Sequence, residues 1–156
     1  MKGIVQDRYG SPDEVLRLEE IDTPRIEDNG VLVRVHAASV HPDIWHAVTG
    51  YPRVLHLMGS GLLQPKNRVP GIDAAGTVEA IGANVTRFQP GDEVFGETFS
   101  GHQWHNGGAF AEYVAVPEDV LALKPSNLTF EQAAAVPTSA FIAMMSVRDQ
   151  AQVEPG

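Results

Sequence analysis

Val31-Leu32-Val33-Arg34-Val35-His36-Ala37-Ala38-Ser39-Val40-His41-Pro42-Asp43 decides the fold, read together with Val69-Pro70-Gly71-Ile72-Asp73-Ala74-Ala75-Gly76. In the first stretch Val31, Val33 and Val35 fall on one face of a strand that runs into a polar turn. The second is a Pro-Gly turn that sets an acid just before another strand. Between them lies a loop-rich excursion with Trp45, Tyr51 and a leucine-rich patch. A strand that delivers polar groups to its end, opposite a turn carrying a carboxylate, is how a β scaffold builds a pocket.

Outward from this core the punctuation is Gly and Pro. Gly3-Ile4-Val5 starts a strand, Tyr9-Gly10-Ser11-Pro12 turns it, and Val15–Ile21 is expected as a second strand. Asp43 to Thr49 reads as one or two helical turns ended by Gly50. His56 to Pro65, around Gly59-Ser60-Gly61, reads as an apolar loop that either packs on the scaffold or walls a cleft. Thr77–Ile81, Glu93–Gly96 and Phe110–Val116 are expected strands, with Pro90-Gly91 suited to the centre of a type II turn. Many short strands between such turns argue for a β-barrel or sandwich. Near the end, Thr129 and Gln132 have capping-box spacing, which predicts a helix from Phe130 to Val136 stopped by Pro137. Thr138 or Ser139 is then expected to cap a second helix, Ala140 to about Ala151, apolar on nearly every face and therefore suited to burial.

Bulk properties narrow the possibilities. The 156 residues suffice for one domain with a real core. A net charge of −9 argues against a nucleic-acid partner, whose phosphates need a basic face. The absence of cysteine excludes disulfides and thiolate chemistry. Met1-Lys2 leads straight into a strand, and the longest apolar run, Ala140 to Met145, is too short for a bilayer. No membrane partner is expected, and a cytoplasmic location is.

The motifs Val31–Pro42, Pro70–Gly76, Gly76–Gly82, Pro90–Val94, Gly108–Tyr113 and Ala133–Pro137, in that order, resemble the N-terminal catalytic half of a medium-chain dehydrogenase/reductase. The likeness is to the quinone-reductase-like branch that lacks zinc, and it runs the whole length of the chain. It implies a mainly β fold with short helices: a GroES-like, partly open β-barrel over residues 1–125. A helical connector over 126–156 would then lead toward a Rossmann domain absent from the chain. Gly107-Gly108 precedes a strand rather than opening a helix, and Gly59-Ser60-Gly61 sits in irregular sequence, so no pyrophosphate site is expected here. The chain alone is therefore expected to be inactive.

In the zinc-dependent branch a Cys would stand at His41, a His at Ile72 and a Cys at Pro137. Only His41 could coordinate, and a catalytic zinc needs three protein ligands, so no metal is expected. His102-Gln103-Trp104-His105 reads as a solvated loop.

The resemblance implies hydride transfer from NADPH, or NADH, to a small-molecule quinone or α,β-unsaturated carbonyl, in a homodimeric parent enzyme. It points to Tyr51, His41 and Asp43 as catalytic, to Trp45, Tyr51 and Phe99 as substrate-binding, and to His41, Thr138 and Ile142 as cofactor-binding. Some positions depart from the family pattern. His41 replaces the usual Asn, and is either a cofactor contact or a histidine bonded to its own turn. Asp43 either substitutes for an acid that usually lies one residue later, where Ile44 stands, or makes an Asx-type turn after Pro42. Ile142 stands where many relatives have Thr. Asp73 holds the position of the zinc branch's Glu, and its turn context suggests a structural carboxylate bonded to backbone N–H groups. Two rival functions are a zinc-type alcohol dehydrogenase domain with atypical ligands and a non-enzymatic GroES-like binding module.

Overall fold

The computed structural model describes residues 1–54, 56, 61–98 and 107–153. Within them the chain is mainly β: β1 (Lys2–Val5), β2 (Arg17–Glu20), β3 (Gly30–Ala38), β4 (Asp73–Ile81), β5 (Glu93–Glu97), β6 (Tyr113–Pro117) and β7 (Leu121–Leu123). The helices are short: α1 (Pro12–Val15), α2 (Pro42–Thr49), α3 (Phe130–Ala134) and α4 (Pro137–Met144). All pairing is antiparallel, in a two-stranded sheet β1-β2 and a five-stranded sheet β6-β3-β4-β5-β7. The terminal strands β6 and β7 are not paired to each other, so the larger sheet stays open. A bridge between Gly3 and Ala111, with Ile4 N–H donating to the Phe110 carbonyl, stitches the small sheet to the large one.

The alternation in Val31-Leu32-Val33-Arg34-Val35 does what its period requires. Val31 and Val33 are buried in a core with Val78, Val94, Val114, Val116 and Phe88, and Val35 packs against it. Each such valine contributes about 1.5–3 kcal/mol relative to an exposed one. The opposite face of β4 is covered by helix: Ala75 packs on Ala133 and Ala134 of α3, flanked by Phe95 and Phe130. Small residues on both surfaces let the helix come close.

Several boundaries differ from the sequence reading. Ser11-Pro12 starts α1, with Pro12 at its first position, and this helix consumes the first residues of the expected Val15–Ile21 strand. β6 begins at Tyr113 rather than Phe110, because Phe110 already bonds the Pro70 carbonyl and the Ile4 amide. α2 is a full eight-residue helix ended by Gly50 in the left-handed region at φ 68°. α4 starts at Pro137, with Val136 at its cap and no side-chain cap bond. Thr138 therefore lies inside the first turn and does not cap it. Beyond Met144 the backbone widens into a π-helical turn, Met145–Gln150. Phe141, Ile142, Met144 and Val147 are all exposed, so the apolar helix lacks the cover its sequence suits.

The capping box on α3 forms as its spacing implies. The Gln132 amide donates to Thr129 Oγ1 at 3.2 Å, and the Thr129 amide to Gln132 Oε1 at 3.0 Å. Thr129→Ala is expected to cost about 1 kcal/mol in urea unfolding. A variant as stable as the parent protein would show that α3 is held by its alanine face alone.

Candidate active site

The site forms where β3 ends, β4 begins and α4 starts. Ser39, just past β3, donates its amide to the Asp73 carbonyl at 3.3 Å, which ties the two strand ends together. The Asp73 side chain is buried, 1% exposed. Its carboxylate accepts two hydroxyl bonds, from Ser39 Oγ at 3.0 Å and from Thr138 Oγ1 at 2.7 Å. Asp73 is thus the structural carboxylate expected, but its main donors are hydroxyls rather than a run of backbone amides. Thr138 is the one buried residue of α4, so this bond is where the last helix is pinned to the sheet.

Glu97, the last residue of β5, is the direct cross-strand partner of Asp73. Its Oε1 lies 3.4 Å from the same Thr138 hydroxyl. Burial pushes the Asp73 carboxyl above its ordinary range, while the Thr138 and Ser39 hydroxyls, the Thr138 amide and nearby His41 pull it back. Burial also raises Glu97, and the charge of Asp73 raises it further, against the Thr138 bond and His41.

His41 is the N-cap of α2. Its Nδ1 lies 3.3 Å from the Asp43 amide and 3.3 Å from Asp43 Oδ2. An amide can only donate, so in the capping arrangement Nδ1 accepts and Nε2 carries the hydrogen. A protonated ring would give up the cap and donate to the Asp43 carboxylate instead. Nε2 makes no hydrogen bond among the described residues. Asp43 lies in the first turn of α2, directly after Pro42, with its amide and its carboxylate both against the His41 ring.

Trp45 and Tyr51 lie together on the outer side of α2, rings 6.2 Å apart and edge-on, each about half-exposed or more. Tyr51 lends its carbonyl to His46 Nδ1 at 2.6 Å. Ile142 is exposed one helical turn beyond Thr138. Phe99 and the histidines at 102 and 105 lie outside the described residues. Among the described residues no three His, Asp or Glu side chains converge on a metal-sized site. Ser39 and Glu97 are the members that the sequence reading did not single out. Ser39 carried a signal, a polar residue at the end of an apolar strand; Glu97 depends on the β4–β5 register and carried none.

The site thus sits at the strand ends of an open antiparallel sheet, against the first turn of α4. The alcohol dehydrogenase GroES-like domain family matches residues 27–126. Over its full length the chain is 33% identical to the quinone oxidoreductase of Sus scrofa, covering 43% of that protein. Over 88% of its length it is 38% identical to the chloroplastic NADPH-dependent alkenal/one oxidoreductase of Arabidopsis thaliana, covering 34% of it. The solved quinone oxidoreductase of Coxiella burnetii superposes on the whole chain with a TM-score of 0.85 at 34% identity, over 46% of that structure. The chain belongs to the medium-chain dehydrogenase/reductase superfamily, on its zinc-independent, quinone-reductase-like branch, and is its N-terminal GroES-like domain. It spans less than half the length of these relatives.

Proposed function

We propose that this chain is the substrate-binding and catalytic half of an NAD(P)H-dependent reductase of quinones or α,β-unsaturated carbonyls, working without zinc. The observation that carries this reading is the full-length 33% identity to a quinone oxidoreductase. It is supported by donor chemistry, since Ile72 and Pro137 offer no metal ligand beside His41.

The residues fit a nicotinamide nucleotide in two respects. His41 offers Nε2–H to an acceptor, and exposed Ile142 offers an apolar face on the side of α4 that carries Thr138. When bound, the nicotinamide supplies hydride. His41 orients the nucleotide, and Asp43 fixes the ring of His41. Tyr51 donates its hydroxyl to the substrate carbonyl, and Trp45 flanks it. Thr138 acts by anchoring α4 rather than by touching the cofactor. Phe99 is the third substrate-binding residue of this reading. Most of the nucleotide is held by a domain outside these residues, in a homodimeric parent.

The test compares this chain with the same chain extended by its natural continuation, each mixed with NADPH and a benzoquinone or a short enone. The extended protein is expected to consume NADPH and to keep doing so with a chelator present, while residues 1–156 alone consume none. Turnover or tight NADPH binding by the short chain would overturn the division of labour. Loss of activity on chelation, restored by zinc, would favour the alcohol dehydrogenase alternative.

A further inference from the structure

Asp73 and Glu97 pose a problem of charge. They face each other directly across β4 and β5, and like charges at such a pair oppose sheet formation. Between them stands one hydroxyl, Thr138 Oγ1, at 2.7 Å from Asp73 and 3.4 Å from Glu97. A hydroxyl has a single hydrogen. The shorter contact, to the fully buried carboxylate, takes it. Thr138 can then bond Glu97 only by accepting, which requires Glu97 to carry a proton. The donors make the same choice: Asp73 receives Ser39, Thr138 Oγ1 and the Thr138 amide, whereas Glu97 has only the long contact.

We propose that protonated Glu97 is the positioning residue of this site: it donates to Thr138, commits that hydroxyl's hydrogen to Asp73, and so locks the first turn of α4. The chain Glu97 → Thr138 → Asp73 ← Ser39 links β5, α4, β4 and the end of β3. Because Thr138 is the only buried residue of α4, loss of the Glu97 proton loosens the hydroxyl bond that helps fasten that helix to Asp73. Burial and the facing charge of Asp73 both favour the protonated form. Of the other titratable groups around Glu97, His41 in its positive form acts against the proton, Asp119 lines the same cavity of about 410 Å³, and Glu93 lies at the far end of its strand. The lock is therefore present on the acid side and released as pH rises through the raised carboxyl pKa of Glu97.

The proposal rests on the reductase reading only for its kinetic consequence, so the decisive readout is structural. In NMR titrations of the chain, the Thr138 amide of the unaltered protein should report a transition above the ordinary carboxylate range. Exchange in the first turn of α4 should speed up about tenfold beyond its intrinsic pH dependence, as loss of one ordinary hydrogen bond implies. Glu97→Gln keeps a donor without a proton to lose, and should abolish the speed-up and hold the slow-exchange state throughout, leaving at the Thr138 amide only the shift that Asp73 itself causes. Thr138→Ser, which keeps the hydroxyl, should retain the transition and guards against a Gln variant that fails to fold. A speed-up of exchange that survives Glu97→Gln, or a Glu97 that titrates in the ordinary range, overturns the proposal even if the extended enzyme is an active reductase. An inactive extended enzyme with the transition intact overturns the reductase reading and leaves the lock standing.

Discussion

Asp73→Ala is expected to destabilise the chain by about 3 kcal/mol, the cost of taking a charged acceptor from one buried and one half-buried hydroxyl. Ser39 and Thr138 both lose Asp73, and Thr138, 4% exposed, keeps only its long contact to Glu97. The same substitution removes the fastening of α4. Asp73→Asn should cost less, because its carbonyl accepts one hydroxyl and its amide can donate to the other. The pH dependence has a definite sign. Burial raises the folded pKa of Asp73, so between the unfolded and folded values the native state holds a proton that the unfolded chain has released. Stability from this group therefore falls as pH rises across that window. The gap between the parent protein and Asp73→Asn should be widest on the acid side and shrink toward neutrality. Asp7 and Glu19 bend the absolute curve the other way, since Arg68 and Arg17 hold Asp7, and Arg17 and Arg68 hold Glu19, below the usual range. The comparison with Asn cancels them. Urea unfolding at a series of pH values measures the gap. A loss under about 0.5 kcal/mol for Asp73→Ala would place the residue among ordinary surface positions.

What the sequence disclosed follows from how local each feature is. The valine alternation of β3, the left-handed stop at Gly50 and the Thr129–Gln132 box depend on neighbours within a few residues, and each is present. Thr138 was singled out by likeness, but its partner was not, because a hydroxyl in a first helical turn reads equally well as a cap. The Asp73–Glu97 pair was out of reach for a stronger reason. Which residue of β5 faces Asp73 is fixed by strand register, and a shift of one residue would turn Glu97 to the opposite side of the sheet. Register here depends on the Pro90-Gly91 turn and on Val94 reaching the inner core, neither of which assigns a partner to a carboxylate. Tyr51 shows the converse. Likeness named it and Trp45 as substrate-binding, and their rings lie 6.2 Å apart, while its hydroxyl's role rests on a substrate and stays a proposal.

Gly76→Ala is expected to be the more damaging change although it adds one methyl group. Gly76 lies in the middle of β4, paired with Val35 on one side and Val94 on the other. A Cβ built there would sit 2.1 Å from the Arg34 carbonyl oxygen and 2.9 Å from Val33 Cγ1. The obstacle is backbone, so no rotamer change relieves it. Nor can β3 retreat, because Val33 and Arg34 are themselves paired to Val114 and Tyr113 of β6. Either β4 leaves its register or the sheet opens, and Asp73 moves with it in both cases. The penalty should reach about 3 kcal/mol or more, at the upper end for overpacking, because the surroundings cannot relax. Against a typical domain stability of about 5–15 kcal/mol this threatens folding outright. Gly91→Ala is the control: nothing lies within 4 Å of its Cβ, but φ is 95°, so it carries only backbone strain. That variant should fold and lose about 1–3 kcal/mol. Thermal unfolding followed by circular dichroism separates them, and a Gly76→Ala protein that melts with or above Gly91→Ala would mean that β4 can yield where the sheet says it cannot.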